Sequence, residues 1–182
     1  MKFVQLDIPG VYLIDHEKKT DHRGYFARIY CENEFQENGL NTKWVQMNQS
    51  LTKKKGALRG LHFQRNPMAE IKLVRCIQGA VLDVIVDLRE GSETYGEKAS
   101  VHLSPKNQHI IYIPAGFAHG FQTLEKNSIL FYMHSEFYSP KHEGGVLYSD
   151  PGLNINWPLS ISDISERDQA HPYLNELKPI SV

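Results

Sequence analysis

The sequence predicts an all-β protein, a sandwich or closed barrel carrying a few short helices. Two observations predict it. Short runs rich in Val, Ile, Leu and aromatic residues recur at 71–77, 81–88, 100–103, 109–113 and 128–133. Turn-forming residues separate them: Gln78-Gly79, Gly91-Ser92, Ser104-Pro105-Lys106-Asn107 and Glu125-Lys126-Asn127. Closely spaced strands joined by such turns argue against a parallel α/β sheet, whose strands need helical crossovers.

Taken in order, the first half offers one helical stretch, 32–38, closed by Gly39 as its C-cap. In Val81-Leu82-Asp83-Val84-Ile85-Val86-Asp87-Leu88, the two-residue period puts Leu82, Val84, Val86 and Leu88 on one face and Asp83 and Asp87 on the other. Tyr132 and His134 likewise share a face, and Lys72 heads another strand. Charged groups are costly to bury unless paired, so such faces look at water or at a lined cavity. Polar faces on several adjoining strands favour a polar barrel interior. The tail from Ile155, broken by Pro158, Pro172 and Pro179, is expected to wrap the barrel as irregular structure. No repeat or linker is visible, so residues 1–182 read as a single domain.

Composition narrows the function. A hydrophobic content of 41% with 23% charged residues is that of a soluble globular protein. The net charge of -1 supplies no field that would draw nucleic acid or an anionic membrane, so an anionic ligand must be held by a few placed cations. Cys31 and Cys76, outside any C-x-x-C motif, form no disulfide framework. Gln5 and Asp7 interrupt the opening stretch, which therefore lacks the apolar run of a signal peptide, and nothing approaches the length of a membrane span. The expectation is a reduced, cytoplasmic protein.

Chemistry concentrates in two segments. Gln46-Met47-Asn48-Gln49-Ser50 and Gly56-Ala57-Leu58-Arg59-Gly60-Leu61-His62-Phe63-Gln64 bring amides, a guanidinium and an imidazole into a glycine-punctuated stretch. Arginine suits bidentate phosphate contact and histidine suits proton transfer near neutral pH. Arg59 and His62 lie three apart, so on a regular strand they face opposite ways; a bend at Gly56 or Gly60 is needed to bring both to one ligand. The second segment, Pro114-Ala115-Gly116-Phe117-Ala118-His119, is P-x-G-x-x-H, a pattern similar to the second motif of cupin barrels. Metal-binding cupins pair it with H-x-H and a later Glu. Here the corresponding stretch reads His62-Phe63-Gln64 with Lys72 downstream, a poor donor set for a divalent cation, so no metal is expected.

The ordered segments Asp21-His22-Arg23-Gly24-Tyr25-Phe26, Leu58 to Gln64, Lys72-Leu73-Val74, Asp83 to Arg89, Ile113 to Phe121, Asp150-Pro151, Ile155-Asn156-Trp157-Pro158 and Ile164-Ser165-Glu166-Arg167-Asp168 resemble, over nearly the whole chain, the motifs of the dTDP-4-dehydrorhamnose 3,5-epimerase family. The resemblance implies a double-stranded β-helix, a cupin-like jelly-roll barrel, forming a homodimer by exchange of N-terminal strands. It implies His62 as catalytic base with Asp168 as its carboxylate partner, Tyr132 as the acid on the opposite face of the sugar, and Lys72 beside the sugar ketone. Arg23, Gln46, Asn48 and Arg59 match positions that hold the diphosphate or sugar. Phe26 falls in the motif that contacts the nucleotide, and His119 and Tyr138 match further pocket residues.

These residue types suit inversion of a C–H centre next to a ketone. The proton is removable because the carbanion spreads onto oxygen as an enolate, and inversion needs a base on one face and an acid on the other. The oxidation state does not change, no Gly-rich dinucleotide fingerprint is present, and no cofactor is expected. Structural alternatives exist for each residue: Tyr132 as barrel-wall aromatic, Lys72 as strand-end charge, Asp168 as a turn or N-cap residue. One departure stands out. Ala27-Arg28 occupy the place where the family often has a glutamate two residues beyond the phenylalanine, replacing an acceptor by a cation near the nucleotide base. Another pyrimidine nucleotide, inversion at C3 alone, a ketosugar isomerase and a non-catalytic sugar-nucleotide-binding cupin remain the competing readings.

Overall fold

The structure is a computed structural model describing residues 1–182. Its strands are β1 (Lys2–Gln5), β2 (Tyr12–Asp15), β3 (Lys18–Asp21), β4 (Gly24–Ala27), β5 (Gln46–Thr52), β6 (Leu58–Gln64), β7 (Lys72–Gln78), β8 (Val81–Asp87), β9 (Lys98–Leu103), β10 (Ile110–Ile113), β11 (Phe117–Thr123), β12 (Ser128–His134) and β13 (Glu143–Gly145). Two short helices, α1 (Glu32–Glu37) and α2 (Glu166–Gln169), and a 3-10 turn at Leu174–Glu176 complete it. A six-stranded sheet has the order β1-β2-β10-β7-β12-β5 and a five-stranded sheet the order β13-β6-β11-β8-β9. From β5 onward the chain crosses between the sheets at nearly every turn, which is the winding of the double-stranded β-helix that the resemblance implies.

Alternation along the strands builds the layers. Val74, Cys76 and Leu130 of the larger sheet meet Val81, Ile85, Leu103, Phe117 and Phe121 of the smaller one in the apolar cluster between them. The opposite face of β8, carrying Leu82, Val84, Val86 and Leu88, is covered by Val146, Leu153 and Ile180 together with half-buried Trp157, Leu174 and Leu177. The residues after Ile155 thus cover one sheet despite having almost no regular structure. On the outer face of the larger sheet, α1 buries Phe35 against Phe3 and Tyr30, with ring centroids at 5.3 and 4.9 Å. Past the Asn38 C-cap, Gly39 has a φ of +68°, which admits the reversal that lets the Leu40 N–H donate to the Phe35 carbonyl at 2.9 Å.

Asp83 and Asp87 depart from the expectation that they face water or a cavity. Both are fully buried, Asp83 paired with His119 through Oδ2 alone and Asp87 through both oxygens. Asp87 accepts hydrogen bonds from the Arg89 guanidinium and from the Ser92 and Thr94 hydroxyls at 2.6, 2.6 and 2.7 Å. Burial pushes its carboxyl up, but these donors outweigh it and hold the group at about 2. The barrel interior is therefore divided: an apolar cluster fills part of it, and a polar cavity the rest.

Candidate active site

A cavity of about 680 Å³ opens between the sheets, lined by polar residues from both and by the segment around α2. On the smaller sheet, β6 and β11 pair His62 with His119 and Arg59 with Phe121. Three steps on one strand match two on the other, so β6 carries a bulge at Gly60-Leu61. The extra residue resets the two-residue period, and Arg59 and His62 both line the cavity. Only glycine serves there: Gly60 has φ +110°, and a Cβ on it would sit 2.6 Å from the Gly120 Cα.

The bulge also anchors the His62 partner. Asp168 accepts the Gly60 N–H through Oδ2 at 2.9 Å and meets His62 Nε2 through Oδ1 at 2.8 Å. Its own N–H donates to the Ser165 hydroxyl that caps α2, at 3.1 Å. Burial raises the Asp168 carboxyl, yet the hydrogen bonds from His62 and the Gly60 N–H dominate and hold it well below the usual carboxylate range. The Arg167 guanidinium lies 3.2 Å from His62 Nε2 and donates to Glu143 Oε2 at 2.9 Å. These protein contacts fall on Nε2, and Nδ1 makes no hydrogen bond within the protein. Beside His62, His119 of β11 pairs with Asp83 at 2.8 Å.

The larger sheet forms the facing wall. Tyr132 of β12 shares a hydrogen bond of 3.1 Å with Ser50 of β5, and burial raises its phenol well above the usual tyrosine value. The phenol therefore keeps its proton at neutral pH and is able to donate it. Lys72, at the start of β7, is buried in the same wall and pairs with Glu70 at 3.2 Å. His134 stacks beside Tyr132 with ring centroids 5.9 Å apart, and Asn48 reaches its Nε2 at 3.3 Å. Arg59 bridges the walls by donating from Nε to the Thr52 hydroxyl at 2.9 Å. The cavity thus holds a carboxylate-supported imidazole on one sheet and a protonated phenol with an ammonium on the other. That arrangement is equipped to remove a proton from one face of a carbon acid, deliver one to the other face and stabilise an oxyanion.

Comparison with known proteins agrees with this chemistry. The family model described as dTDP-4-dehydrorhamnose 3,5-epimerase matches residues 5–176. The chain belongs to that family, and it is an epimerase. The dTDP-4-dehydrorhamnose 3,5-epimerase of Sinorhizobium fredii is 44% identical over 182 residues, spanning 100% of this chain and 93% of the relative. The solved dTDP-4-dehydrorhamnose 3,5-epimerase of Elizabethkingia anophelis is similar with a TM-score of 0.92 and 41% identity, covering 97% of each chain. The dTDP-6-deoxy-D-glucose-3,5-epimerase of Legionella pneumophila, solved with dTDP-4-keto-L-rhamnose, gives 0.91 and 36% identity over 98% of this chain and 97% of that one.

Within this epimerase, seven of the residues singled out from sequence line the one cavity: His62, Lys72, Tyr132, Asp168, Asn48, Arg59 and His119. Four others lie outside it. Arg23 and Phe26 sit exposed on the β3–β4 hairpin, which pairs with no other strand, and Arg23 is held by Asp21 at 2.6 Å. Gln46 Oε1 accepts the Tyr138 N–H at 3.2 Å, and the Tyr138 hydroxyl donates to Glu143 at 2.9 Å. Sequence reasoning missed Arg167, His134 and His171. The first two line the cavity. His171 stands edge-on to His62 at 5.5 Å, with Nε2 at 3.6 Å from Asp168 Oδ1. Position alone hinted at them: Arg167 precedes Asp168, His171 follows it by three, and His134 shares the Tyr132 face. Donor atoms of His62, Asp168 and His171 fall within 4.8 Å of one another, a spacing a metal could use. The Arg167 guanidinium beside that point, 3.2 Å from His62 Nε2, places a fixed positive charge against a cation there.

Proposed function

We propose that this epimerase converts dTDP-4-dehydro-6-deoxy-D-glucose to dTDP-4-dehydro-L-rhamnose, inverting C3 and C5, in deoxysugar biosynthesis. The observation that carries the reading is one polar cavity with the His62–Asp168 pair on one sheet and Tyr132 on the other. His62 takes the proton from the carbon beside the C4 ketone, and Asp168 fixes the imidazole and supports its positive charge. The electron pair of that C–H bond moves onto the C4 oxygen as an enolate, and Lys72 stabilises the charge that develops there. Collapse of the enolate with proton delivery from Tyr132 to the opposite face completes the inversion; solvent returns a proton to Tyr132 and takes one from His62. Positioned acids and bases of this kind contribute roughly a hundred- to ten-thousand-fold each, and an oxyanion donor about 3 kcal/mol.

Two further features complete the proposal. The active species is a homodimer. Met47, Leu51, Ile77 and Ile29 leave an apolar surface exposed around the larger sheet, and the β3–β4 hairpin, tied to the rest of its chain through the Gln108 amide and the Tyr25 hydroxyl and not through strand pairing, holds Arg23 and Phe26 outside the cavity of their own chain. A partner's cavity is where that hairpin would supply nucleotide contacts. β1 pairs with β2 and β2 with β10 within the chain, so the hairpin is the segment available for exchange. The enzyme works in the cytoplasm, a reading supported by two unpaired cysteines; no helix is long and apolar enough to cross a membrane.

The test is incubation of the ketosugar nucleotide with the enzyme in heavy water, read by NMR. Deuterium at both C3 and C5 with the L-rhamno product is expected. Deuterium at C3 alone would make it a 3-epimerase, and binding without exchange would make it a sugar-nucleotide-binding protein.

A further inference from the structure

We infer that Glu70, which lies outside the cavity, is the positioning residue of its larger-sheet wall: one carboxylate oxygen anchors Lys72 and the other orients His134. The inference rests on the function proposed above. Glu70 Oε1 lies 3.2 Å from Lys72 Nζ, and Oε2 lies 2.8 Å from His134 Nδ1. Glu70 and Lys72 are two residues apart, so on extended chain they share a face, and the β7–β12 register sets Lys72 directly opposite His134. The ladder continues beyond that pair. The Ser135 N–H donates to the Ile71 carbonyl at 3.0 Å and the Ile71 N–H to the Ser135 hydroxyl at 2.8 Å, which fixes the backbone beside Glu70.

The charge balance of the wall needs this carboxylate. Lys72, Glu70 and His134 side chains are only 10%, 9% and 11% exposed. A lysine buried to this degree without a counter-charge tends to give up its proton. On the other flank of Lys72, β10 offers only Ile113. The carboxylates that line the cavity are engaged elsewhere: Asp168 with His62 at 2.8 Å, Asp163 with Lys54 at 3.2 Å. Across the cavity stand cations or neutral groups, namely Arg59, Arg167, His62 and His119, and beside Lys72 in its own wall stands the neutral Tyr132. Burial alone would raise the Glu70 carboxyl; the Lys72 charge and the His134 hydrogen bond outweigh it and hold the group below the usual range. An ionised Glu70 also makes Nδ1 the protonated nitrogen of His134, which leaves Nε2 to accept from the Asn48 amide at 3.3 Å and seats the ring beside Tyr132.

Glu70→Gln tests this without changing the size of the side chain. The expected result is a fall in kcat of about tenfold or more with a smaller change in KM, and an alkaline limb of the kcat profile moved by about one pH unit toward lower pH. Glu70→Asp, which keeps the charge, restores part of the rate and returns the limb. In the free protein, the side-chain 15N resonance of Lys72 titrates at lower pH in Glu70→Gln than in the wild type. This second readout needs no turnover, so an enzyme that failed to exchange any ketosugar would refute the proposed function and still leave the role of Glu70 decided. Identical Lys72 titration in both proteins, or a variant that loses only thermal stability while its pH profile stays in place, overturns the inference.

Discussion

His62–Asp168 and His119–Asp83 are the same two groups at the same 2.8 Å, on histidines that face each other across β6 and β11. Their surroundings differ. The His62 side chain is 26% exposed and the His119 side chain 6%. Asp168 spreads its charge over His62 and the Gly60 N–H, whereas Asp83 Oδ1 is buried with no partner. Both rings line the cavity, yet the proposed base is the more open of the two and the one whose carboxylate has both oxygens satisfied. The enclosed pair serves as a cross-strand tie between β11 and β8.

The sharpest way to break that comparison is to remove each imidazole in turn. His62→Asn is expected to lower solvent-deuterium exchange about a thousandfold with a melting temperature near that of the wild type. His119→Asn is expected to lose less than about tenfold in rate, with the larger share of its effect in thermal stability. Equal rate losses in two folded variants would erase the distinction.

Removing the carboxylates gives smaller effects. Asp168→Asn is expected to slow exchange by about a hundredfold and to destabilise the fold by about 2 kcal/mol at pH 7. The pH dependence has a definite sign. The folded carboxyl lies below its unfolded value of about 3.9, so its stabilisation is fully present above that pH and is lost as pH falls through the folded value. Denaturant melts should therefore show the gap between wild type and variant narrowing as pH falls below about 4. A gap unchanged down to pH 3 would contradict the assignment. Asp83→Asn should give the smallest change in rate, within about twofold, and lower stability by about 1 kcal/mol.

How far the sequence spoke depends on how local each signal is. Strands β7 to β10 and β12 are legible because alternation and turn residues are local, as is the helix closed by Gly39, whereas β11, with Gly120 in its middle, shows no such run. β3, Lys-Lys-Thr-Asp, is exposed throughout and carries no apolar period to read. The tail was foreseen as irregular, yet nothing in its spacing marks Ile180 as buried, since irregular chain has no period. The three-residue spacing of Arg59 and His62 demanded a bend, and the Gly60-Leu61 bulge supplies it. That Asp168 meets a residue 106 positions away has no local signature; resemblance alone carried it. Asp83 and Asp87 looked polar-facing because alternation fixes the face of a side chain and leaves its partner unspecified.

The measurement that tests the two-wall account most directly is the stereochemical course of exchange in Tyr132→Phe, followed by NMR of the ketosugar nucleotide in heavy water. With His62 intact and the opposing phenol gone, deuterium should enter from the His62 face with retention while inverted product falls about a hundredfold. Inversion at the wild-type rate in that variant would contradict the pairing of His62 and Tyr132 across the cavity.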